Sequence, residues 1–440
     1  MHKLHIENFG PIKNCEFNIT EFLILTGIQA SGKSTIAKTV FYFRTIKNKI
    51  LLTMLKFFRN YMVRQQAASE IILNPALTEV IQKELRKQFI EVFGTSWEKQ
   101  HGMELVYYYN KNTWIKIVSC KEEAESFYEN IANKIFSIEF SDDIKYYLED
   151  YEKHGIPEEK DVTVLEYELK LLFNDEYNTI YIPAGREMIT LLASQLDYLF
   201  MIMDDAQKSS IDYCTRTYLE ELKKIKPQYE NGLYGMYQNK IIISGIDEDK
   251  KPLKKMLCLI DEILKGKYIF KSGEDRLLIE DGKFIKMNYA SSGQQESVWI
   301  LNIIFYYTLE KKKTFLVLEE PESHLYPETQ KKIAELIALF INTGNSSLVT
   351  THSPYLLGSF NNLLYAAFTG SANEIKTDKV IPKEYWLSRQ KTEAFYVSGG
   401  KVSNIMEDGL PLIKNETIDG ISNVINLENE LLLEIQMEEQ

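Results

Sequence analysis

Residues able to handle phosphate recur at three widely separated places in this sequence. Gly27-Ile28-Gln29-Ala30-Ser31-Gly32-Lys33-Ser34 sets glycines where a backbone must curl around phosphate oxygens with no Cβ in the way. The N–H groups of such a loop, with the N-terminus of the helix behind it, make an anion cradle from Gly27, Ala30, Ser31, Gly32, Lys33, Ser34 and Thr35. Lys33 would reach the β- and γ-phosphates, and Ser34 would offer its hydroxyl to Mg2+. Phe315-Leu316-Val317-Leu318-Glu319-Glu320 is an apolar run ending in paired carboxylates. Ligands of an open parallel sheet bind at that end of a strand. Glu319 is therefore assigned to the metal, through water, and Glu320 to the attacking water as general base. Leu348-Val349-Thr350-Thr351 leads into His352, whose neutral imidazole at the same edge would touch a γ-phosphate or order the water. Together these groups fit binding and hydrolysis of ATP with Mg2+.

A fourth stretch, Ser292-Gly293-Gln294-Gln295, precedes an apolar helix about 28 residues before Glu320. Its small residues let N–H groups and the Ser292 hydroxyl approach a γ-phosphate, and the positive end of the helix favours the charge. Ser-Gly is also ordinary turn chemistry, so its place between the phosphate loop and the carboxylates carries the reading. Two residues have open roles. Arg186, after the short strand Thr179 to Ile182, contacts phosphate or a partner subunit, or is structural. His324, in Pro321-Glu322-Ser323-His324-Leu325, belongs to a subunit interface or to a structural turn.

Positioning these groups requires strands that end at one edge. Leu4, Ile6 and Phe9 alternate with polar residues, as in a half-buried strand, and Phe17 to Ile19 reads as a second. Phe22 to Thr26 is almost wholly apolar, as in a strand buried on both faces. A helix is expected from Ser34 to about Arg59 and another over about 74–92. Met103 to Tyr109 and Thr113 to Val118 alternate around Asn110-Lys111-Asn112, a hairpin pattern. Residues 121–176 read as charged and mostly helical. The polar helical region beyond them, to about Tyr229, is either a projecting arm or an insertion lying on the body. Short strands are expected around Tyr268, Leu277 and Phe284, then a helix from about Glu296 to Glu310. Strand 314–319, helix 328–342 and strand 347–351 make a right-handed parallel crossover. In the remaining stretch, Ile418, Ile421, Ile425, Leu432 and Ile435 keep helical spacing.

Length and composition set limits. A chain of 440 residues with 45% apolar content can bury about three quarters of its unfolded surface. A formal charge of −12 argues against a general nucleic-acid coat, leaving Lys250-Lys251 and Lys311-Lys312-Lys313 as local basic candidates or solvated faces. Cys15, Cys120, Cys214 and Cys258 are far apart and form no CxxC pair. That pattern fits thiols in a reducing compartment and removes a zinc hook. The opening Met1-His2-Lys3-Leu4-His5-Ile6 lacks a signal-peptide core, and Leu191 to Met203 is too short and polar to span a bilayer. A cytoplasmic protein with no membrane partner is expected.

Taken together, these residues resemble the ABC-type ATPase heads of the SMC, RecF and OLD group. Leu4-His5-Ile6-Glu7-Asn8-Phe9-Gly10-Pro11-Ile12 is similar to that group's first strands. Leu318-Glu319-Glu320-Pro321-Glu322-Ser323-His324-Leu325-Tyr326-Pro327 and Thr350-Thr351-His352-Ser353-Pro354 resemble the OLD-like branch. The implied fold is α/β, a P-loop NTPase head of ABC type with a mixed, partly parallel core sheet, an antiparallel β-lobe and arm-like helical insertions. The implied division is 1–119 for the N-terminal part of the head and 120–266 for helical insertions with a core strand near 179–186. Residues 267–365 form the C-terminal part, and 366–440 a tail.

The resemblance also implies a homodimer, open to higher assembly, with ATP sandwiched between two heads. Ser292, Gly293, Gln294 and Gln295 then act as a signature that completes the partner's site. ATPase subunits of bacterial anti-phage systems such as Septu and PARIS share this pattern, which implies slow hydrolysis and control of a separate nuclease or toxin effector encoded nearby. RecF-like binding of duplex DNA and an ATP-locked scaffold are the rival expectations. Two departures stand out. Glu319 replaces the Asp of SMC-type heads, and Pro183 to Arg186 occupies the place of a glutamine loop without a Gln. The tail also lacks the Asp-x-Asp pair of a Toprim nuclease.

Overall fold

The computed structural model describes residues 2–67, 75–94, 102–119, 136–157, 160–191, 202–204, 211–244, 250–279, 282–414, 420 and 426–431. Strands β1 (His2–Phe9) and β2 (Ile12–Ile19) pair antiparallel, and β3 (Phe22–Thr26) leads into the phosphate loop. Helices α1 (Lys33–Ala67) and α2 (Leu77–Phe93) come next, then β4 (Glu104–Tyr108), β5 (Trp114–Ser119) and β6 (Phe136–Phe140). After them lie α3 (Asp142–His154), α4 (Val162–Leu172), β7 (Asn178–Ile182) and α5 (Arg186–Leu191), then α6 (Tyr213–Ile225), α7 (Gly232–Ser244) and α8 (Lys250–Leu264). A small meander of β8 (Lys267–Lys271), β9 (Glu274–Leu278) and β10 (Phe284–Lys286) precedes α9 (Ser292–Leu309). The chain continues through β11 (Thr314–Glu319), α10 (Pro327–Asn342), β12 (Ser346–Thr351), α11 (Pro354–Val380), β13 (Thr392–Ser398) and β14 (Lys401–Asn404).

Eleven strands form one sheet in the order β6-β5-β4-β1-β2-β14-β13-β3-β12-β11-β7. The half from β13 to β7 is parallel and the wing from β6 to β2 is antiparallel, so the fold is the expected mixed α/β arrangement. All five side chains of β3 are buried because helices cover both sheet faces. Phe22 and Ile24 enter the core shared with α8, α9, α10 and α11, whereas Leu23 and Leu25 enter the core shared with α1 and α2. The register sets where the parallel strands end. Thr26 lies opposite Thr351, Thr350 opposite Glu319, and Leu318 opposite Ile182. Four strand ends are thereby level at one edge.

Several local expectations change. Residues 136–140 form a strand inside the stretch read as helical, with Phe136, Ile138 and Phe140 buried in alternation. Helix α9 starts at Ser292, so the Ser292–Gln295 segment is its first turn and does not precede it. The C-terminal tail contributes β13 beside β3 in the middle of the sheet. In the region left open between arm and insertion, α6 lies on the body, with Tyr218, Leu222 and Ile225 in the core. The hairpin forms as read, with Asn110 Oδ1 accepting from the N–H groups of Asn112 and Thr113 at 2.8 Å each. Ile418, Ile421, Ile425, Leu432 and Ile435 lie outside the described residues, as does Cys120. Among the described residues, no helix is long and apolar enough to cross a membrane.

A buried ionic cluster locks the wing to α1 and to the segment before β7. Arg44 Nη2 donates to Asp175 Oδ1 at 2.7 Å, and Lys47 Nζ lies 2.9 Å from Asp175 Oδ2. His2 Nδ1 lies 2.9 Å from the Tyr107 hydroxyl and 3.2 Å from Arg44 Nη1. Burial opposes the Asp175 charge, but Arg44 and Lys47 outweigh it and hold the carboxyl below its usual range. Burial, with the Arg44 charge behind it, lowers the His2 imidazole from 6.5 to about 4.

A lowered histidine gives a signed prediction. The unfolded chain takes up a proton that the folded chain refuses, so this contribution is complete above pH 6.5 and is lost as pH falls towards about 4. The loss should reach about 3 kcal/mol. Urea unfolding of the parent and of His2→Gln, compared at pH 7 and pH 5, should show a smaller fall in the variant. Equal falls would mean that His2 does not titrate there.

Candidate functional site

The phosphate loop leaves β3 at Gly27, whose φ is +146°. A Cβ there would lie 2.2 Å from the Val397 carbonyl oxygen on β13, so the close approach of the tail strand requires glycine. Gly32, at φ +109°, is pressed against the side chains of Pro11 and Ile12. Lys33 Nζ donates to the carbonyls of Gly27 at 2.7 Å and Ile28 at 2.8 Å, folding the ammonium over its own loop. Burial lowers the Lys33 pKa, and the charges of Glu320 and Glu322 oppose that shift. Ser34 and Ala30 are exposed and Thr35 is half-buried. Ser31 is buried, and its hydroxyl has no partner among the described residues.

Glu319 ends β11 as a buried carboxylate. Oε2 accepts from Ala184 N at 3.3 Å, while Oε1 has no hydrogen-bond partner among the described residues. Its charge, after burial, helps push the neighbouring Tyr181 phenol well above its usual range, so that hydroxyl stays neutral. Glu320 takes a left-handed conformation at φ +44°, held by its N–H to Thr350 O at 2.9 Å. Its Oε1 lies 3.3 Å from His352 Nδ1, and the two side chains are 34% and 58% exposed. The structure therefore brings Lys33, Glu319, Glu320 and His352 to one sheet edge. The Glu319 Oε1 atom without a donor and the exposed Ser34 hydroxyl are hard oxygen donors, the type that suits Mg2+.

Glu322 is a site residue that sequence reasoning passed over as part of an acidic turn. It is buried, and its Oε1 accepts from Thr351 Oγ1 and from His352 N at 3.2 Å. Burial pushes its carboxyl up, against the pull of the Thr351 bond. It ties the turn after β11 to the end of β12, where His352 sits. A further acid three residues past the metal carboxylate, next to Pro321, was the available signal.

Arg186 needs correction as a phosphate or partner contact. Its side chain is 0% exposed. Nε donates to Glu296 O at 3.0 Å, Nη1 to Pro183 O at 2.6 Å and Glu319 O at 2.7 Å, and Nη2 to Glu320 O at 2.9 Å. Nη2 also lies 3.1 Å from Glu296 Oε2. Fully buried, with four N–H bonds to carbonyls of its own chain and the Glu296 carboxylate beside it, the guanidinium is not presented to phosphate or to a partner. Gln294 and Gln295 are corrected similarly. Gln294 closes a capping box with Ser291 and donates to Leu264 O at 2.6 Å, and Gln295 Nε2 donates to Met287 O and Ala290 O at 3.0 Å each. Their side chains serve their own chain. The Ser291-x-x-Gln294 spacing could have revealed this cap.

What remains open at that helix start is Ser292 and Gly293, half-buried, with N–H groups that have no partner among the described residues. Gly293 lies against the turn of His324: a Cβ on it would be 2.9 Å from His324 O. His324 is left-handed at φ +59°, and its exposed ring lies 4.0 Å from Glu187 Oε2. His324 thus lies in a left-handed turn with its ring exposed. A separate cavity of about 590 Å³, lined by Glu21, Trp386 and Thr392, opens where the strands begin, away from this edge.

The family model described as AAA ATPase domain matches residues 1–357. No curated protein matches the chain. Solved structures of distant similarity include the SmcHead bound to the C-winged helix domain of ScpA, at 12% identity and TM-score 0.41, over 91% of this chain and 96% of that one. The Smc head domain with an extended coiled coil bound to the C-terminal domain of ScpA, derived from Pyrococcus furiosus, shows 12% identity and TM-score 0.38, over 96% and 100%. The SMC head domain from Thermotoga maritima shows 9% identity and TM-score 0.39, over 92% and 98%.

Two glycine variants should behave oppositely. Gly27→Ala forces a methyl group onto the Val397 carbonyl and should cost about 2 kcal/mol while abolishing ATP binding. Gly358→Ala, in α11 with nothing within 4 Å of its added Cβ, should stabilise by about 0.5–1 kcal/mol. Melting temperatures and nucleotide titration check both.

Proposed function

The chain belongs to the AAA ATPase domain family, and from that premise we propose an ATP-driven dimeric switch in which each ATP site is completed by a second copy. That the protein is an ATPase follows from the family. The site roles are our assignment. The loop from Gly27 to Thr35 wraps the phosphates, with Lys33 leaving its own carbonyls to reach the β- and γ-oxygens. Ser34 and Glu319 would hold Mg2+, which would supply positive charge against that developing on the transferred phosphoryl group. Glu320 accepts a proton from the attacking water, and His352, 3.3 Å away, orients that pair.

One observation carries the split-site reading. The open N–H groups of Ser292 and Gly293 start a helix tied to the β7 flank of the sheet, away from the chain's own phosphate loop on β3. Arg186, just past β7, bonds Glu296 in the first turn of α9, and β7 is three strands from β3. At ~4.8 Å per strand the separation is about 14 Å. That separation supports reading these donors as reserved for the γ-phosphate held by a second copy. Exposed Met188, Tyr289, Tyr326 and Tyr355 adjoin these motifs in sequence, and such side chains favour a protein interface.

The output, on the strength of the Leu318–Pro327 and Thr350–Pro354 motifs, is control of a separate nuclease or toxin effector in bacterial anti-phage defence, with slow turnover as the timer. ATP shifts the population towards the closed dimer through contacts made only in that state. A basic track for duplex DNA across the dimer groove has less support. Lys311, Lys312 and Lys313 precede β11, about 20 Å along the strand from Glu320. Lys251 and Lys255 are engaged by Glu384.

Two measurements test the reading. Glu320→Gln should keep ATP affinity, lower turnover by about 100-fold or more and elute as a dimer in ATP; normal turnover would remove Glu320 from its role. Mixing Lys33→Ala with Ser292→Arg should restore ATP hydrolysis that neither variant has alone, because the hybrid contains one complete site. A mixture as inactive as its parents would sink the split site.

A further inference from the structure

We infer that Arg186 is a positioning residue that couples nucleotide in a chain's own loop to the Ser292–Gly293 turn it presents to its partner, an inference that rests on the split-site reading. The guanidinium has two sets of contacts. One set, on Glu319 O and Glu320 O, fixes the backbone that aims both catalytic-edge carboxylates. The other, on Glu296 O and Glu296 Oε2, fixes the first turn of α9. The fork is planar and rigid, so a shift of one set moves the other.

Neighbouring contacts extend the same link. Glu187 N donates to Glu296 Oε1 at 3.0 Å, and Thr190 Oγ1 donates to Gln295 O at 2.9 Å. Gly293 rests on the His324 carbonyl, and His324 faces Glu187. Helix α5, the turn after β11 and the start of α9 therefore form one joint with Arg186 at its centre. Stability alone gives little reason for a fully buried guanidinium, since apolar residues of equal volume often serve a core as well or better. A two-sided hydrogen-bonded fork between two half-sites has a reason of another kind. It converts engagement of Glu319 and Glu320 by Mg2+ and water into a defined placement of the signature turn, which is a coupling free energy between two sites.

The test uses the full chain. Glu296→Gln keeps the side-chain shape and the bond from Glu187 N but removes the charge that faces Arg186. Arg186→Lys keeps the charge and replaces the flat fork by three donors from one point. Both variants should bind ATP with affinity within about threefold of the parent and turn it over about tenfold more slowly. Amide exchange is then measured over residues 292–297 in chains that also carry Ser292→Arg, which blocks docking of a second copy. Adding a non-hydrolysable ATP analogue should change exchange there when Arg186 and Glu296 are intact, and should leave it unchanged in either variant. A merely structural role predicts lower melting temperatures, parental turnover per folded molecule and an intact exchange response, and that result overturns the proposal. Exchange is read within single chains, so the link is decided separately from the split site.

Discussion

A guanidinium that never meets water holds the catalytic edge together. Arg186, the first residue of α5, donates to the carbonyls of Pro183, Glu296, Glu319 and Glu320 and pairs with the Glu296 carboxylate. Removing it would take a buried donor from the carbonyls of Pro183, Glu296, Glu319 and Glu320 and the counter-charge from the Glu296 carboxylate, and such losses are costly. Its carbonyl contacts also hold the chain where β11 ends and Glu320 turns left-handed. A left-handed non-glycine residue carries strain of about 1–2 kcal/mol, and such strain persists only where surrounding bonds over-determine it. Ala30, Glu320 and His324 are all left-handed and all belong to this edge.

The sheet register adds a second constraint. Parallel pairing makes strand ends level, and the pairs Thr26–Thr351, Glu319–Thr350 and Leu318–Ile182 join segments that are in some cases hundreds of positions apart. Lys33, Glu320 and His352 need no contact in sequence to meet. They need only strands of matched length, each buried on both faces.

Strand ends of this kind explain why some features were legible in the sequence and others were not. The phosphate loop, Glu319, Glu320 and His352 each come directly after an apolar run, so a local pattern gives both the strand and the residue at its end. Arg186 also comes after a strand, but its role depends on carbonyls from β11 and α9, and no local spacing reports burial of a charge. Glu322 resembles turn chemistry because its partners, Thr351 and His352, are on another strand. Gln294 and Gln295 match a ligand-facing motif by analogy, although the cap that Gln294 forms with Ser291 is a local signal. Strand β6 is hidden among charged flanks. Strand β13, Thr392–Ser398, is hidden because its defining partner is β3, near the other end of the chain.

The place of β13 has a consequence for biosynthesis. The wall behind Gly27 is the backbone of Val397, and Gly400 O accepts from the N–H groups of Lys13 and Asn14 beside the loop. While a ribosome is still making the first few hundred residues, the nucleotide cradle has its lysine and glycines but no floor. Pairings over such long sequence separations form late in folding. A nascent chain that stops short of Asn404 therefore lacks the strands that back the nucleotide cradle in the finished fold.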